Sequence, residues 1–255
     1  ALLAGRMLTG LGLGWGMVAG GAWMLALGSR CGWPSGRAVL RAALSLTAGF
    51  GLGPTITGMW GQFGADPLRW AYVPHLVFTV AALALGTRTP AGVRLDQPGP
   101  QQAPPLSARG GNARALWRIA GVAPWIFGAL GMAYAVLPQQ IYGQLGDIRT
   151  LYLAVLCLTS LGAGFLTQRL AARLVRPSIR TSYAGAGLFA VVTAAAAVGF
   201  ASLSPVVVWV GAVIYGVAYG LILIGCLAEV DTTVPSAHQA RANALTYSLA
   251  YLGFA

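Results

Sequence analysis

Gly49-Phe50-Gly51-Leu52-Gly53-Pro54-Thr55-Ile56-Thr57-Gly58 lies inside an apolar stretch, residues 42–61. That stretch has the roughly 20 residues an α-helix needs to cross a bilayer. In water a Gly-Pro pair in mid-helix is destabilising: glycine is too free, and proline lacks the N–H that bonds one turn back. In a membrane bundle the pair is tolerated, because neighbouring helices re-satisfy the freed backbone groups. The run therefore reads as a transmembrane helix, with a bend expected at Pro54. Gly49 and Gly53 stand one turn apart and predict a bare strip for close approach by another helix.

The rest of the chain agrees. Of its 255 residues, 57% are hydrophobic and 8% charged, and the mean hydropathy is +0.71. No soluble domain of this length needs so much apolar surface, so the class is an all-α, polytopic transmembrane helix bundle. Eight apolar segments follow one another, at 7–28, 42–61, 70–86, 118–138, 150–168, 181–203, 205–228 and 242–255. The third is short, with Trp70 and Tyr72 as interfacial anchors. Asp66-Pro67 and Ser204-Pro205 each place an N-cap before a proline suited to the first helical position. Ser236-Ala237-His238-Gln239 has capping-box spacing. The chain begins at Ala1 and ends at Ala255 inside apolar runs, so we read it as an internal piece, truncated at both ends.

The formal charge is +11, and all 16 basic residues are arginine. They form no single patch, so no nucleic-acid partner is expected. They fall instead in alternate breaks between the apolar segments. The odd breaks hold Arg30, Arg37, Arg41; Arg88, Arg94, Arg109, Arg114, Arg118; Arg169, Arg173, Arg176, Arg180; and Arg241. The even breaks hold only Arg69 and Arg149, and Arg6 remains. The positive-inside rule puts the odd breaks in the cytoplasm. Residues 87–117, rich in Pro, Gly, Gln and Arg, read as a mobile cytoplasmic linker with three spans before it and five after.

Enzyme chemistry finds no foothold. Cys31, Cys157 and Cys226 have neither disulfide nor metal spacing, and the latter two read as small packing residues. Gly10-Leu11-Gly12-Leu13-Gly14-Trp15-Gly16 lacks the preceding strand and third glycine of a dinucleotide loop. Small residues four apart for helix packing explain it better. No metal and no cofactor is expected. Glu229 and Asp231, at the cytoplasmic end of the seventh segment, read as solvated.

Three motifs carry a family resemblance. The opening run is similar to the fifth-helix motif of antiporters of the major facilitator superfamily, Gly-x-x-x-Gly-Pro-x-x-Gly-Gly. Gly49, Gly53, Pro54 and Gly58 match; Thr57 replaces the first glycine of the closing pair, and Leu40 a glycine nine residues before Gly49. Arg6-Met7-Leu8-Thr9-Gly10-Leu11-Gly12 resembles the fourth-helix motif Arg-x-x-Gln-Gly-x-Gly, with Thr9 for Gln. Residues 164–173 resemble the loop motif Gly-x-Leu-x-Asp-Arg-x-Gly-Arg-Arg through Gly164, Leu166, Arg169 and Arg173. Gln168 replaces the Asp of that motif, Ala171 the Gly and Ala172 an Arg, so the loop lacks the charge that would latch it.

The order of these motifs makes 1–86 helices four to six of an amino-terminal half. The linker 87–117 follows, and 118–255 holds helices seven to eleven. The resemblance implies a proton-coupled antiporter that exports a small, lipophilic molecule by alternating access. Its setting would be a bacterial plasma membrane, and the full-length protein a monomer. The partners implied are the lipid bilayer, the small-molecule substrate and protons. The resemblance implies that Arg6 takes part in proton coupling; on physical grounds an arginine in an apolar span is costly and marks a polar pathway. Its other reading is a side chain snorkelling to the interface. His75 is a further candidate for coupling, because histidine is the side chain type that changes charge near neutral pH, although a lone histidine there also fits a hydrogen bond to a neighbouring helix. Tyr134, Tyr215 and Tyr219 are candidates for an aromatic cavity wall, or for packing between helices. The alternatives are a metabolite uptake symporter and a non-transporting polytopic enzyme or sensor.

Overall fold

Apolar length becomes helix. The computed structural model describes residues 2–64, 66, 70, 72–88, 111–199 and 203–254, without the side chains of 2–11, 13–15, 18, 35, 111, 112, 236, 237, 240 and 254. All eight apolar segments meet helix, and the described residues contain no strand. Among the described residues, five helices are long and apolar enough to cross a membrane: Gly36–Phe63, Ala113–Gln139, Tyr142–Leu174, Ile179–Val198 and Pro205–Thr233.

The first helix, α1 (Leu2–Arg30), ends in a tight reversal. Gly32 takes φ +65°, and the Trp33 and Gly32 N–H groups return to the carbonyls of Gly28 and Ser29. This left-handed glycine cap satisfies carbonyls that the helix end would orphan. Pro34 then caps α2 (Ser35–Phe63), which runs unbroken through Pro54. Next comes α3 (Val73–Thr87), which has no buried residue. Of the Asp66-Pro67 start signal only Asp66 is described, and α3 begins later, with Pro74 in its first turn.

The fourth apolar segment is a rod interrupted at its prolines. It consists of α4 (Gly111–Val122), α5 (Pro124–Gly131), a π-turn (Met132–Val136) and α6 (Leu137–Gln139). Pro138 has no N–H for the carbonyl one turn back, and the Leu137 N–H reaches five residues back to Met132 instead. One wide turn absorbs the defect. Residues 111–117, read above as the end of the linker, are therefore helical; 89–110 lie outside the described residues.

After α7 (Tyr142–Leu145) and a 3-10 turn come α8 (Arg149–Leu174), α9 (Ile179–Val198), α10 (Pro205–Thr233) and α11 (Ser236–Tyr251). Ser178 and Thr181 form a capping box at the start of α9. Ser204 caps α10 by accepting the Val207 N–H at 3.4 Å, ahead of Pro205. The helix start expected at Ser236 falls one residue earlier, and the Ser236 side chain lies outside the described residues. Pro235 is the N-cap of α11, and the Gln239 amide instead donates to the carbonyls of Asp231 (3.1 Å) and Val234 (3.2 Å). It is drawn to the orphaned carbonyls at the end of α10.

The core sits around α10, which is apolar on most sides and buries fifteen residues between Val208 and Val230. Lipid is as apolar as leucine, so helices associate through close packing of small residues. Gly216 and Gly220 let α8 approach so closely that a Cβ on Gly220 would lie 2.6 Å from the Gly164 carbonyl. A Cβ on Gly216 would overlap the Ser160 carbonyl. Cys157 and Cys226 are buried, as expected of packing residues. Glu229 corrects the sequence reading: it is buried rather than solvated, and Arg118 Nη1 stands 3.6 Å from its carboxylate. A lone buried carboxylate is costly, and the nearby guanidinium offsets that cost.

Candidate functional site

Two features meet around α2. One is a seam against α8; the other is a cleft against α1 and α11.

The seam is built from every fourth residue of α2: Ala43, Thr47, Gly51 and Thr55, all buried. Polar contacts pin it at three places along its length. At one end Gln62 donates to the Asp147 carbonyl at 3.0 Å and accepts the Leu151 N–H at 3.2 Å. In the middle Thr55 Oγ1 reaches the carbonyls of Gly51 (2.6 Å) and Ala154 (3.1 Å). Towards the other end Thr47 Oγ1 donates to the Ala43 carbonyl at 2.9 Å. Its lone pairs then accept the Gln168 amide N–H at 2.8 Å and the Tyr219 hydroxyl at 2.9 Å. Thr47, Gln168 and Tyr219 are each at most 1% exposed. None of these contacts involves an ionised side chain, so they part without leaving a bare charge in a low-dielectric interior.

The cleft lies between α1, α2 and α11 and has a volume of about 430 Å³. Gly12, Gly16 and Gly20, one turn apart on α1, form a bare wall where an added Cβ meets nothing within 4 Å. Gly12 and Gly16 border open space rather than a tight helix contact, which corrects the packing role read from their spacing. Met17, Met24 and Tyr247 face them. A smaller pocket of about 30 Å³ adjoins, lined in part by Asn243, Leu25 and Leu227. The buried Asn243 Oδ1 has no hydrogen-bond partner among the described residues. Tyr251 ties α11 to α1, its hydroxyl 3.2 Å from Met17 Sδ. Such a cleft accommodates an apolar body and offers it few polar anchors.

The motif residues are distributed differently from their spacing. Gly58 does face α8, where a Cβ would come 2.9 Å from Ala154 Cβ. Gly49 and Gly53 are exposed and a Cβ on either meets nothing, so they are not the close-approach strip. Gly51 takes that place, with a Cβ 3.2 Å from Leu161 Cβ. Pro54 is exposed on the same side as Gly53. Residues 164–173 form no loop but the last turns of α8. Gly164 packs against α10, while Leu166, Arg169 and Arg173 are exposed. Gln168 replaces a charged latch with a neutral, buried one.

The other candidates do not converge. Arg6 lies in α1, and its side chain is outside the described residues. His75 is exposed on α3, away from the seam and the cleft. Tyr215 and Tyr219 are fully buried packing residues, the former hydrogen-bonded to Thr193 at 3.0 Å. Neither is a cavity wall. Tyr134 is half-buried on the π-turn. The sequence reading missed Thr47, Asn243 and Tyr247. A polar side chain amid apolar neighbours was their signal, and it does not say which face of the helix it marks.

No curated protein and no solved structure matches the chain. The sequence model of the family described as Major Facilitator Superfamily matches residues 1–255. With its all-helical bundle and membrane-length spans, the chain belongs to the major facilitator superfamily, whose members are multi-pass transporters of small molecules across lipid bilayers rather than enzymes.

Proposed function

We propose that the protein is a proton-coupled exporter of a small, lipophilic molecule, working as a monomer by alternating access in a bacterial plasma membrane. In this reading α1–α3, within 1–86, belong to one half of the transporter. Residues 87–117 link the halves, and the spans within 118–255 belong to the other half. The observation that carries the proposal is the cleft. Its walls come from both halves, α1 and α2 on one side and α11 on the other, and they are mostly apolar. The superfamily builds its sites between repeated halves near the bilayer midplane. Support for Arg6 as the coupling residue is its register. At about 3.6 residues per turn, position 6 stands on the same face of α1 as position 24, which borders the cleft.

The test uses the full-length protein in proteoliposomes with an imposed pH gradient and the lipophilic dye Hoechst 33342 as probe. Dye should move against the proton flux. Tyr247→Ala should weaken dye binding, whereas Arg6→Ala should abolish proton-driven movement and leave binding intact. Dye and protons moving in the same direction would identify an uptake symporter and overturn the proposal.

A further inference from the structure

One set of ends of α2, α8 and α10, cytoplasmic by the positive-inside rule, encloses a second cleft, of about 960 Å³, which the transport reading does not use. Five arginines line it: Arg37 and Arg41 from α2, Arg169 and Arg173 from α8, and Arg176 just beyond. All five are exposed. The acid in the lining is Asp231 of α10. Among the described residues, none of the five arginines has a carboxylate at ion-pair distance. The Arg41 guanidinium lies over the Trp33 ring, 3.8 Å from its centroid, which holds it in place. Arginines therefore face one another across the α2–α8 seam, and like charges repel unless an anion sits between them.

We propose that this cleft binds the phosphate headgroup of an anionic lipid from the cytoplasmic leaflet. Guanidinium forks match phosphate oxygens two at a time. Basic pockets between helices on the cytoplasmic side are the recognised setting for such headgroups. A lipid fits better than a soluble phosphate because the lining is amphipathic. Leu40 and Leu44 follow the arginines along α2, and Ile224 and Ala228 lie opposite on α10. Those aliphatic groups give an acyl chain somewhere to lie. The bound headgroup neutralises the facing arginines and clasps α2 to α8, holding the seam shut at its cytoplasmic end. This last step rests on the assignment of α2 and α8 to different halves; the binding itself does not.

The experiment is native mass spectrometry of the full-length protein from nanodiscs of phosphatidylcholine containing phosphatidylglycerol. The wild type should retain phosphatidylglycerol. The double variant Arg37→Gln/Arg176→Gln, one change on each side of the cleft, should retain about tenfold less. Arg180→Gln, outside the cleft, should match the wild type. Gel filtration checks folding, and Arg37→Lys/Arg176→Lys covers the case where the glutamine pair misfolds. The lysine pair keeps the charge but loses the fork, so retention should fall less than with glutamine. Equal retention by wild type and a folded double variant overturns the proposal. So does displacement of the lipid by millimolar inorganic phosphate, which would mark a soluble-anion site. Lipid retention is measured without substrate or pH gradient, so its failure is distinct from failure of the exporter reading.

Discussion

Helix α8 has two long neighbours and meets them in opposite ways. Against α10 it is joined backbone to backbone. Gly164, Gly216 and Gly220 remove every side chain that would hold the helices apart. Against α2 it is held at intervals by Gln62, Thr55 and the Thr47–Gln168–Tyr219 cluster. A contact of the first kind tolerates no sliding, because any shift drives carbonyls into Cα atoms. A contact of the second kind is a few neutral hydrogen bonds, worth about 0.6 kcal/mol each between membrane helices. The two sides of one helix thus separate what must stay rigid from what is able to open.

The strongest way to break this contrast is Gly216→Val. Its added carbons enter the space of the Ser160 carbonyl, and overpacking of this sort costs about 1–3 kcal/mol or more. Folded protein should be lost, as read by gel filtration and a lowered melting temperature. Normal yield would show that α8 and α10 are not locked. On the α2 side, Gly58→Leu should cost about 1–3 kcal/mol by displacing Ala154. Gly53→Leu points into open space and should leave stability within about 0.5 kcal/mol of wild type. Equal damage from both would mean that the exposed face of α2 is also packed.

Gln168→Leu acts on the seam more gently. It deletes one hydrogen bond and also a buried Oε1 that lacks a partner among the described residues. Stability should change by only about 0.6 kcal/mol. Thiol labelling of a cysteine placed at Leu44 should rise about threefold as the seam opens more often, since that energy is near one RT. Unchanged labelling would mean that the cluster does not hold the seam. The smallest effect belongs to Trp209→Phe. Its indole N–H donates to Thr159 at 2.9 Å on the rim of the α8–α10 contact. Loss of that exposed bond should shift the melting temperature by no more than about 1–2 °C, near the limit for surface changes. A larger shift would put the strength of this interface in hydrogen bonds rather than in backbone contact.

The spans were legible because hydropathy alone decides where a chain of this composition crosses lipid. The start of α10 was legible too, since Ser204 and Pro205 are adjacent local signals. The face of α2 was not. Glycines at 49 and 53 and at 51 and 58 satisfy a turn-spaced pattern about equally well, and only the neighbour decides which pair is used. Glu229 was misplaced for the same reason: its partner Arg118 lies more than a hundred positions away and on another helix. Asn243 and Tyr247 acquire meaning only when α11 is laid against α1. What a site owes to helix faces cannot be read along one line of sequence.

Between α10 and α11 the chain spends only Val234 and Pro235, both in extended conformation. Proline fixes one torsion, and the Gln239 amide clips the turn from within. This joint has almost no slack. A rotation of α10 about its axis must therefore be handed on to α11, as through a stiff crank. At one end of the crank stands Asp231, in the arginine-lined cleft; at the other stands Tyr247, in the apolar one. Occupancy of either cleft is mechanical information for the other, delivered through two residues.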